Sequence, residues 1–533
     1  MMSRPLVNGG QAIVDALVAH GVDTVFGIPG THNLAVYSAL KSSPIRHVSP
    51  RHEQGAGYAA DGYARLGGRP GVVVTTTGPA ILNAATAAAQ AYSDSIPVLF
   101  IAPGMPLTHP GGHNGLLHEV RSQFDAMSAV VGYAQRVTSV EEIPHAVAQC
   151  FAAMTAGRPR PAYLEVPLDL LEHEAEADTV IVESPVAQAT AVPAEAQLGA
   201  AAELLRGARR PLIVAGGGCS GAAGELRAFA ETLGAPVVTS ANGKGVLDEA
   251  HPLSLGAGVQ HRVLLEIATE ADVVVAVGTE LAPADWWWGP LPRTPLIRID
   301  IDPTSIATNA RPTVGVVGDA GAALAELTKR LPAVPGTSPA EVDTWRTRLQ
   351  ADAREIGAAY LGLCSSLEAA LGDDAVIAAD SSMSCYYGLL GSLPLHRPRS
   401  FLYPAGLGTL GYGLPAAIGA KLAEPQREVV AVLGDGGVMF TIAELASAAE
   451  AGLALPVVIV DNGGYGEIRN EMADRDGHVH AVDLPAPDFP ALARALGCHG
   501  VAVASDDEVG PAVRAAFAAD RPTLVHVREQ SAD

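Results

Sequence analysis

Short apolar runs alternate with longer amphipathic or alanine-rich stretches along the whole chain. Continuous apolar runs bounded by turn residues are what a strand buried on both faces requires. In the first third they fall at residues 24–27, 72–75 and 97–101, with helical patterns at 11–20 and 84–91. In the middle they fall at 212–215, 272–277 and 296–301. In the last third they fall at 375–379, 429–433, 456–460 and 523–527. Strands alternating with helices imply βαβ units, so the pattern predicts an α/β chain of three doubly wound parallel sheets. Two stretches poor in large core residues, 172–194 and 331–339, read as linkers. They divide the chain into expected domains at 1–175, 190–335 and 343–533.

Composition narrows the function. The chain has 533 residues, 48% of them hydrophobic and 17% charged, which supplies several cores and excludes a disordered chain. The formal net charge of −23 argues against nucleic acid or an anionic membrane surface as partner. No apolar run is long enough for a membrane span. No secretory signal is visible in residues 1–10. The five cysteines, at 150, 219, 364, 385 and 498, form no CxxC pair and are odd in number, as expected of reduced thiols. A cytoplasmic location is the expectation.

The strongest chemical signal is Gly434-Asp435-Gly436 after the apolar run 429–433, paired with Asp461-Asn462-Gly463-Gly464 after the run 456–460. Both turns fall at the carboxyl ends of expected strands, where open α/β sheets bind ligands. About one βαβ unit separates Asp435 from Asn462, so neighbouring strand ends bring a carboxylate and an amide oxygen to one hard cation. Such oxygen donors suit Mg²⁺ on a diphosphate. Gly436 and Gly437 let backbone N–H groups approach phosphate at the start of the next helix.

This pair resembles the signature of thiamine diphosphate enzymes. Arg51-His52-Glu53-Gln54-Gly55-Ala56 with Ala60-Asp61-Gly62-Tyr63-Ala64-Arg65 resembles the pyrimidine-domain hallmark of the acetolactate synthase and 2-oxo-acid decarboxylase family. Gly27-Ile28-Pro29-Gly30, Thr77-Gly78-Pro79, Ile299-Asp300-Ile301-Asp302-Pro303 and the stretch from Gly406 to Pro415 match in the same order. The three expected domains then correspond to pyrimidine-binding, central and diphosphate-binding domains. Taken together, GIPGTHNL, LHE, GTEL and GGYGEIR most resemble the 5-guanidino-2-oxopentanoate decarboxylase branch.

The resemblance implies thiamine diphosphate and Mg²⁺ as cofactors and a small-molecule 2-oxo acid as substrate. Decarboxylation would run through a C2 ylid and an enamine. Glu53 would pair with the cofactor's pyrimidine. Asp435, Asn462 and Gly464 would hold the metal. Gly30, Thr77, Ser381, Ser382, Gly408, Leu410, Gly434, Gly436, Gly437, Tyr465 and Gly466 would line the cofactor. His32, His118 and Glu467 are candidate proton-transfer groups, because a histidine titrating near neutrality shuttles protons well. His109 and His113, in a Gly/Pro-rich loop, are expected to be solvated. Glu119, Asp285 and Trp286 are candidates for the substrate's distal end, a carboxylate being suited to a guanidinium; packing is the competing role for the tryptophan cluster.

Three outcomes stay open. Protonation of the enamine makes a decarboxylase, attack on a second carbonyl makes an acetolactate-synthase-like carboligase, and a silent ligand-binding paralogue does neither. The FAD of acetolactate synthases is left open and not expected, because Gly216-Gly217-Gly218 lacks the GxGxxG fingerprint. The family builds its site from two subunits, which implies a homodimer or homotetramer.

Overall fold

The computed structural model describes residues 6–185, 190–333, 336–475 and 477–529. The expected sheets are present: three six-stranded sheets, every internal pairing parallel. The first has the strand order Arg46–Val48, Thr24–Gly27, Gly71–Val74, Val98–Gly104, Ala162–Pro167, Tyr133–Arg136. The second runs Ser254–Ala257, Val237–Thr239, Pro211–Ala215, Val273–Val277, Leu296–Asp300, Val314–Val317. The third runs Phe401–Leu402, Val376–Ala379, Val429–Gly434, Pro456–Asp461, Thr523–Arg528, His499–Val503. Central strands such as Val273–Val277 and Val98–Gly104 are buried at every position, which is why they read as uninterrupted apolar runs.

The chain forms two compact units. One comprises Met1–Gln188 with Pro415–Pro425 and Thr441–Leu453; the other comprises Ala189–Leu414, Gln426–Phe440 and Ala454–Asp533. In the first unit, the helix Glu53–Gly67 crosses the segment 415–425 so closely that Gly62 and Gly419 lie against backbone, at Ala416 and Ala59 respectively. A methyl group at either point would force the two segments apart.

Two expectations about connections change. The stretch 172–194 is not linker throughout: Glu174–Glu176 pairs antiparallel with Leu6–Asn8. The helix Pro339–Ile356 begins inside the second expected linker, under a capping box in which Ser338 and Glu341 satisfy each other's backbone N–H groups. Parts of both stretches, 186–189 and 334–335, lie outside the described residues. Among the described residues no helix is long and apolar enough to cross a membrane. All five cysteines are buried and free.

Candidate functional site

In the first unit, four neighbouring strands converge their carboxyl ends on one region. Glu53 follows the strand Arg46–Val48, Gly30 and His32 follow Thr24–Gly27, and Thr77 and Gly78 follow Gly71–Val74. The loop bearing His118 follows Val98–Gly104. Glu53 opens its helix, where a carboxylate complements the exposed N–H groups. The turn before it is pinned from below: the N–H groups of Arg51 (3.0 Å) and His52 (3.0 Å) donate to the Glu444 carboxylate. Glu444 is buried, and burial raises its pKa. Asn83, on the helix Pro79–Ser93, donates to Glu53 Oε2 at 2.9 Å, which leaves Oε1 for another partner.

Gly78 has φ +67°, and its N–H donates to Gln123 Oε1 at 2.7 Å. That amide in turn donates to Pro103 O (2.9 Å), Tyr163 Oη (2.7 Å) and Glu165 Oε2 (3.1 Å). A buried network thus fixes the turn; burial raises the pKa of both Tyr163 and Glu165. His32 and His118 meet edge to face, centroids 5.0 Å apart. His118 sits at φ +65°, rare for a residue with a Cβ, so its placement is held by its surroundings. Burial, and next the charge of His118, lower the pKa of His32. The Nδ1 atoms of both histidines, and Oγ1 of Thr76 and Thr77, are buried without a hydrogen-bond partner. Four orphaned polar atoms at one cluster of strand ends are what a region awaiting a polar ligand shows.

Glu119 is engaged within its own loop. Its carboxylate accepts from the N–H of Asn114 (3.1 Å) and Gly115 (2.8 Å) and lies 3.4 Å from His109 Nε2. It staples its own loop, beside a cavity of about 360 Å³ lined also by Arg121, Gln123, Arg136 and Glu165. His109, expected to be solvated, has only 12% of its side chain exposed. His113 is exposed.

In the second unit the third sheet repeats the arrangement. The carboxyl ends of Phe401–Leu402, Val376–Ala379, Val429–Gly434 and Pro456–Asp461 carry the turns with Gly408 and Leu410, Ser381 and Ser382, Asp435 to Gly437, and Asn462 to Glu467. Asp380 is wholly buried and organises these turns. It accepts from the N–H groups of Ser381 (2.9 Å), Gly411 (2.9 Å) and Tyr412 (3.1 Å). Burial pushes its pKa up to about 6 against those hydrogen bonds. Gly437 faces it so closely that a Cβ there would lie 2.6 Å from Asp380 Oδ2. Leu410 packs on the other side of Gly437, its Cδ2 3.8 Å from the same point.

Asp435 is buried, and burial, then the charge of Asp461, raise its pKa. It accepts the Asn462 N–H at 3.3 Å. One end of the Asn462 side-chain amide lies 3.3 Å from Asp435 Oδ1 and 3.0 Å from Gly464 O. If that end is nitrogen, it donates to both. If it is oxygen, three oxygens converge with no proton between them, a state that a hard cation stabilises. Among the described residues no three His, Cys, Asp or Glu side chains gather around a point. The donor set is one carboxylate, one amide and one carbonyl, and it fits Mg²⁺. Tyr465 packs against Gly436, and Gly466 against Asn462 and Met383.

Glu467 Oε1 accepts the Tyr387 hydroxyl at 2.7 Å. Trp286 is buried and belongs to a core cluster that includes Leu264, Ile267 and Trp345, the packing role weighed against a substrate contact. Trp287, which nothing in the sequence singled out from its neighbours, is 40% exposed and meets Tyr386 and Tyr387 edge to face. Asp285 is half-buried beside it in sequence and has interaction partners of its own. Asn83, Gln123 and Glu444 were also missed. Asn83 had one available signal: the helix following Thr77-Gly78-Pro79 carries it one turn in.

Three family signatures match in chain order. They are the thiamine pyrophosphate enzyme N-terminal TPP binding domain at residues 7–129, the central domain at 198–327, and the C-terminal TPP binding domain at 383–527. The chain is 40% identical to the probable 2-ketoarginine decarboxylase AruI of Pseudomonas aeruginosa, covering 100% of this chain and 96% of that protein. It is 32% identical to the probable acetolactate synthase large subunit of Methanocaldococcus jannaschii, covering 98% and 92% respectively. It is 31% identical to the acetolactate synthase isozyme 1 large subunit of Escherichia coli, covering 99% and 94%.

Proposed function

Given that this chain belongs to the thiamine pyrophosphate enzyme family, we propose that it catalyses the Mg²⁺-dependent, non-oxidative decarboxylation of a 2-oxo acid with a guanidino tail. When bound, thiamine diphosphate supplies the carbon nucleophile and the electron sink for loss of CO₂. Asp435, Asn462 and the Gly464 carbonyl hold the metal. Ser381, Ser382, Gly408 and the turn Gly434 to Gly437 receive the diphosphate, with Leu410 as the apolar support. Glu53, its carboxylate oriented by Asn83, would exchange a proton with the cofactor's pyrimidine.

The observation that carries decarboxylation over carboligation is the His32–His118 pair. Two imidazoles in contact cannot both be charged cheaply, and the lowered pKa of His32 leaves it neutral at pH 7. The pair therefore offers one proton at a time at the same row of strand ends as Glu53, which favours protonating the product carbon and releasing an aldehyde. The half-sites at Glu53 and at Asp435 come from different compact units. We assign the working site to a homodimer, one copy contributing each half; a tetramer would pair two such dimers.

The test mixes protein, Mg²⁺ and thiamine diphosphate with guanidino, aromatic and short aliphatic 2-oxo acids, following CO₂, aldehyde and acyloin. Cofactor-dependent release of CO₂ and aldehyde in equal amounts, greatest with the guanidino acid, is expected. Acyloin as the main product from pyruvate would transfer the reading to a carboligase.

A further inference from the structure

We propose that Trp287, Tyr386, Tyr387 and Glu467 form the subsite that reads the cationic tail of the substrate. The proposal rests on the decarboxylase reading above and adds where, and by what chemistry, the tail is recognised.

Three aromatic rings meet here in a corner. Trp287 makes interplanar angles of 83° with Tyr386 and 90° with Tyr387, at centroid distances of 6.2 and 5.9 Å. Tyr386 and Tyr387 meet at 76° and 4.6 Å. A ring face left uncovered by a neighbour's edge is electron-rich and attracts a cation through the ring quadrupole. The two tyrosines are adjacent in sequence. A regular α-helix would turn them about 100° apart, but Ser384–Leu389 is a π-helical segment, a local widening frequent at functional sites.

The corner is electron-rich and closed to hydrogen-bond acceptors. The Trp287 Nε1–H donates to Ala284 O at 3.0 Å, and the Tyr387 hydroxyl donates to Glu467. Both donors are spent inside the protein, so a neutral or anionic tail finds no partner in them. Glu467 also accepts the Tyr386 hydroxyl, and among the described residues no lysine, arginine or histidine pairs with it, so its negative charge has no cationic partner. A planar guanidinium suits this combination: one face on a ring, its N–H edge on the carboxylate.

The corner also adjoins the chemistry. Glu467 lies five residues after Asn462. Asn462 Nδ2 lies 3.8 Å from Met383 Sδ, and Tyr387 follows Met383 by about one helical turn. Glu119, expected for this role from sequence, already holds two backbone N–H groups of its own loop and faces the His109 imidazole. Glu467 thereby becomes a counter-charge for the substrate instead of a proton-transfer group.

The test compares kcat/KM for 5-guanidino-2-oxopentanoate with that for its uncharged isostere, 5-ureido-2-oxopentanoate. The intact enzyme should prefer the guanidino acid by roughly 10-fold or more. Trp287→Leu should reduce that ratio by about 3- to 30-fold, the range of a cation–ring contact, mainly by raising KM. Trp287→Phe should restore most of it, which separates loss of the ring face from loss of fold. A guanidino-to-ureido ratio near one in the intact enzyme, or an unaltered ratio in Trp287→Leu, overturns the proposal while leaving decarboxylation standing. No CO₂ from any 2-oxo acid overturns the decarboxylase reading and this subsite with it.

Discussion

The Glu53 region and the Asp435 region are built on the same plan, four parallel strand ends in a row, yet they are finished differently. Around Glu53 the N–H groups of Arg51, His52 and Gly78 are bound by Glu444 and Gln123, while Thr76, Thr77, His32 and His118 keep buried atoms without partners. Around Asp435 a second carboxylate, Asp380, has absorbed backbone N–H groups of the surrounding turns, and one end of the Asn462 amide lies against Asp435 Oδ1 and Gly464 O. We read the first region as the side that would exchange protons and the second as the side that would hold a cation and its anionic partner. On the proposed reading, a chain of net charge −23 would bind an anionic diphosphate and an anionic substrate through positive charge supplied locally by a metal.

If that division is right, changes on the two sides fail in different ways. Glu53→Gln keeps the shape of the proton-handling side and removes its base. CO₂ release should fall by roughly 10³-fold with thiamine diphosphate affinity nearly intact, read by steady-state assay and calorimetry. Asp435→Ala should instead weaken Mg²⁺-dependent cofactor binding by roughly 100-fold or more, because losing a ligand costs at least what losing its outer support does. A Glu53→Gln enzyme that no longer bound cofactor would erase the distinction.

Smaller effects sharpen it. Gln123→Leu leaves the Gly78 N–H unpaired in the interior and should cost about 1–3 kcal/mol of stability, seen as a lower thermal midpoint. His32 should titrate in nuclear magnetic resonance below the ordinary histidine value of about 6.5. The unfolded chain then takes up that proton at higher pH than the folded one. Native stability is complete above pH of about 6.5 and declines as pH falls through it; His32→Gln should flatten the slope. A His32 value above 7 would contradict the account of the pair.

Much of this was legible in the sequence, for definable reasons. Strands buried on both faces leave continuous apolar runs, so 273–277 or 429–434 could hardly be misread. The short partners could not be seen: Leu6–Asn8 and Glu174–Glu176 are three residues each, mixed in polarity, and acquire meaning only by pairing. The site showed the same split. Glu53, Asp435 and Asn462 sit in motifs, because backbone and ligand constrain their neighbours. Glu444 reaches Arg51 across 393 positions, and Gln123 reaches Gly78 across 45, so no local pattern records either contact. The three consecutive tryptophans defeated pattern reading differently. Trp286 is core, Trp287 faces two tyrosines and Trp288 is exposed, an alternation that only the packed loop decides.

The central proposal is that the Glu53 half and the Asp435 half act as one centre contributed by two copies of the chain. Subunit exchange between the Glu53→Gln and Asp435→Ala proteins tests it most directly. Each parent is inactive, but a mixed dimer would unite an intact Glu53 with an intact Asp435 at one of its sites. About a quarter of wild-type CO₂ release should return at statistical mixing. Mixed oligomers no more active than their parents would contradict it.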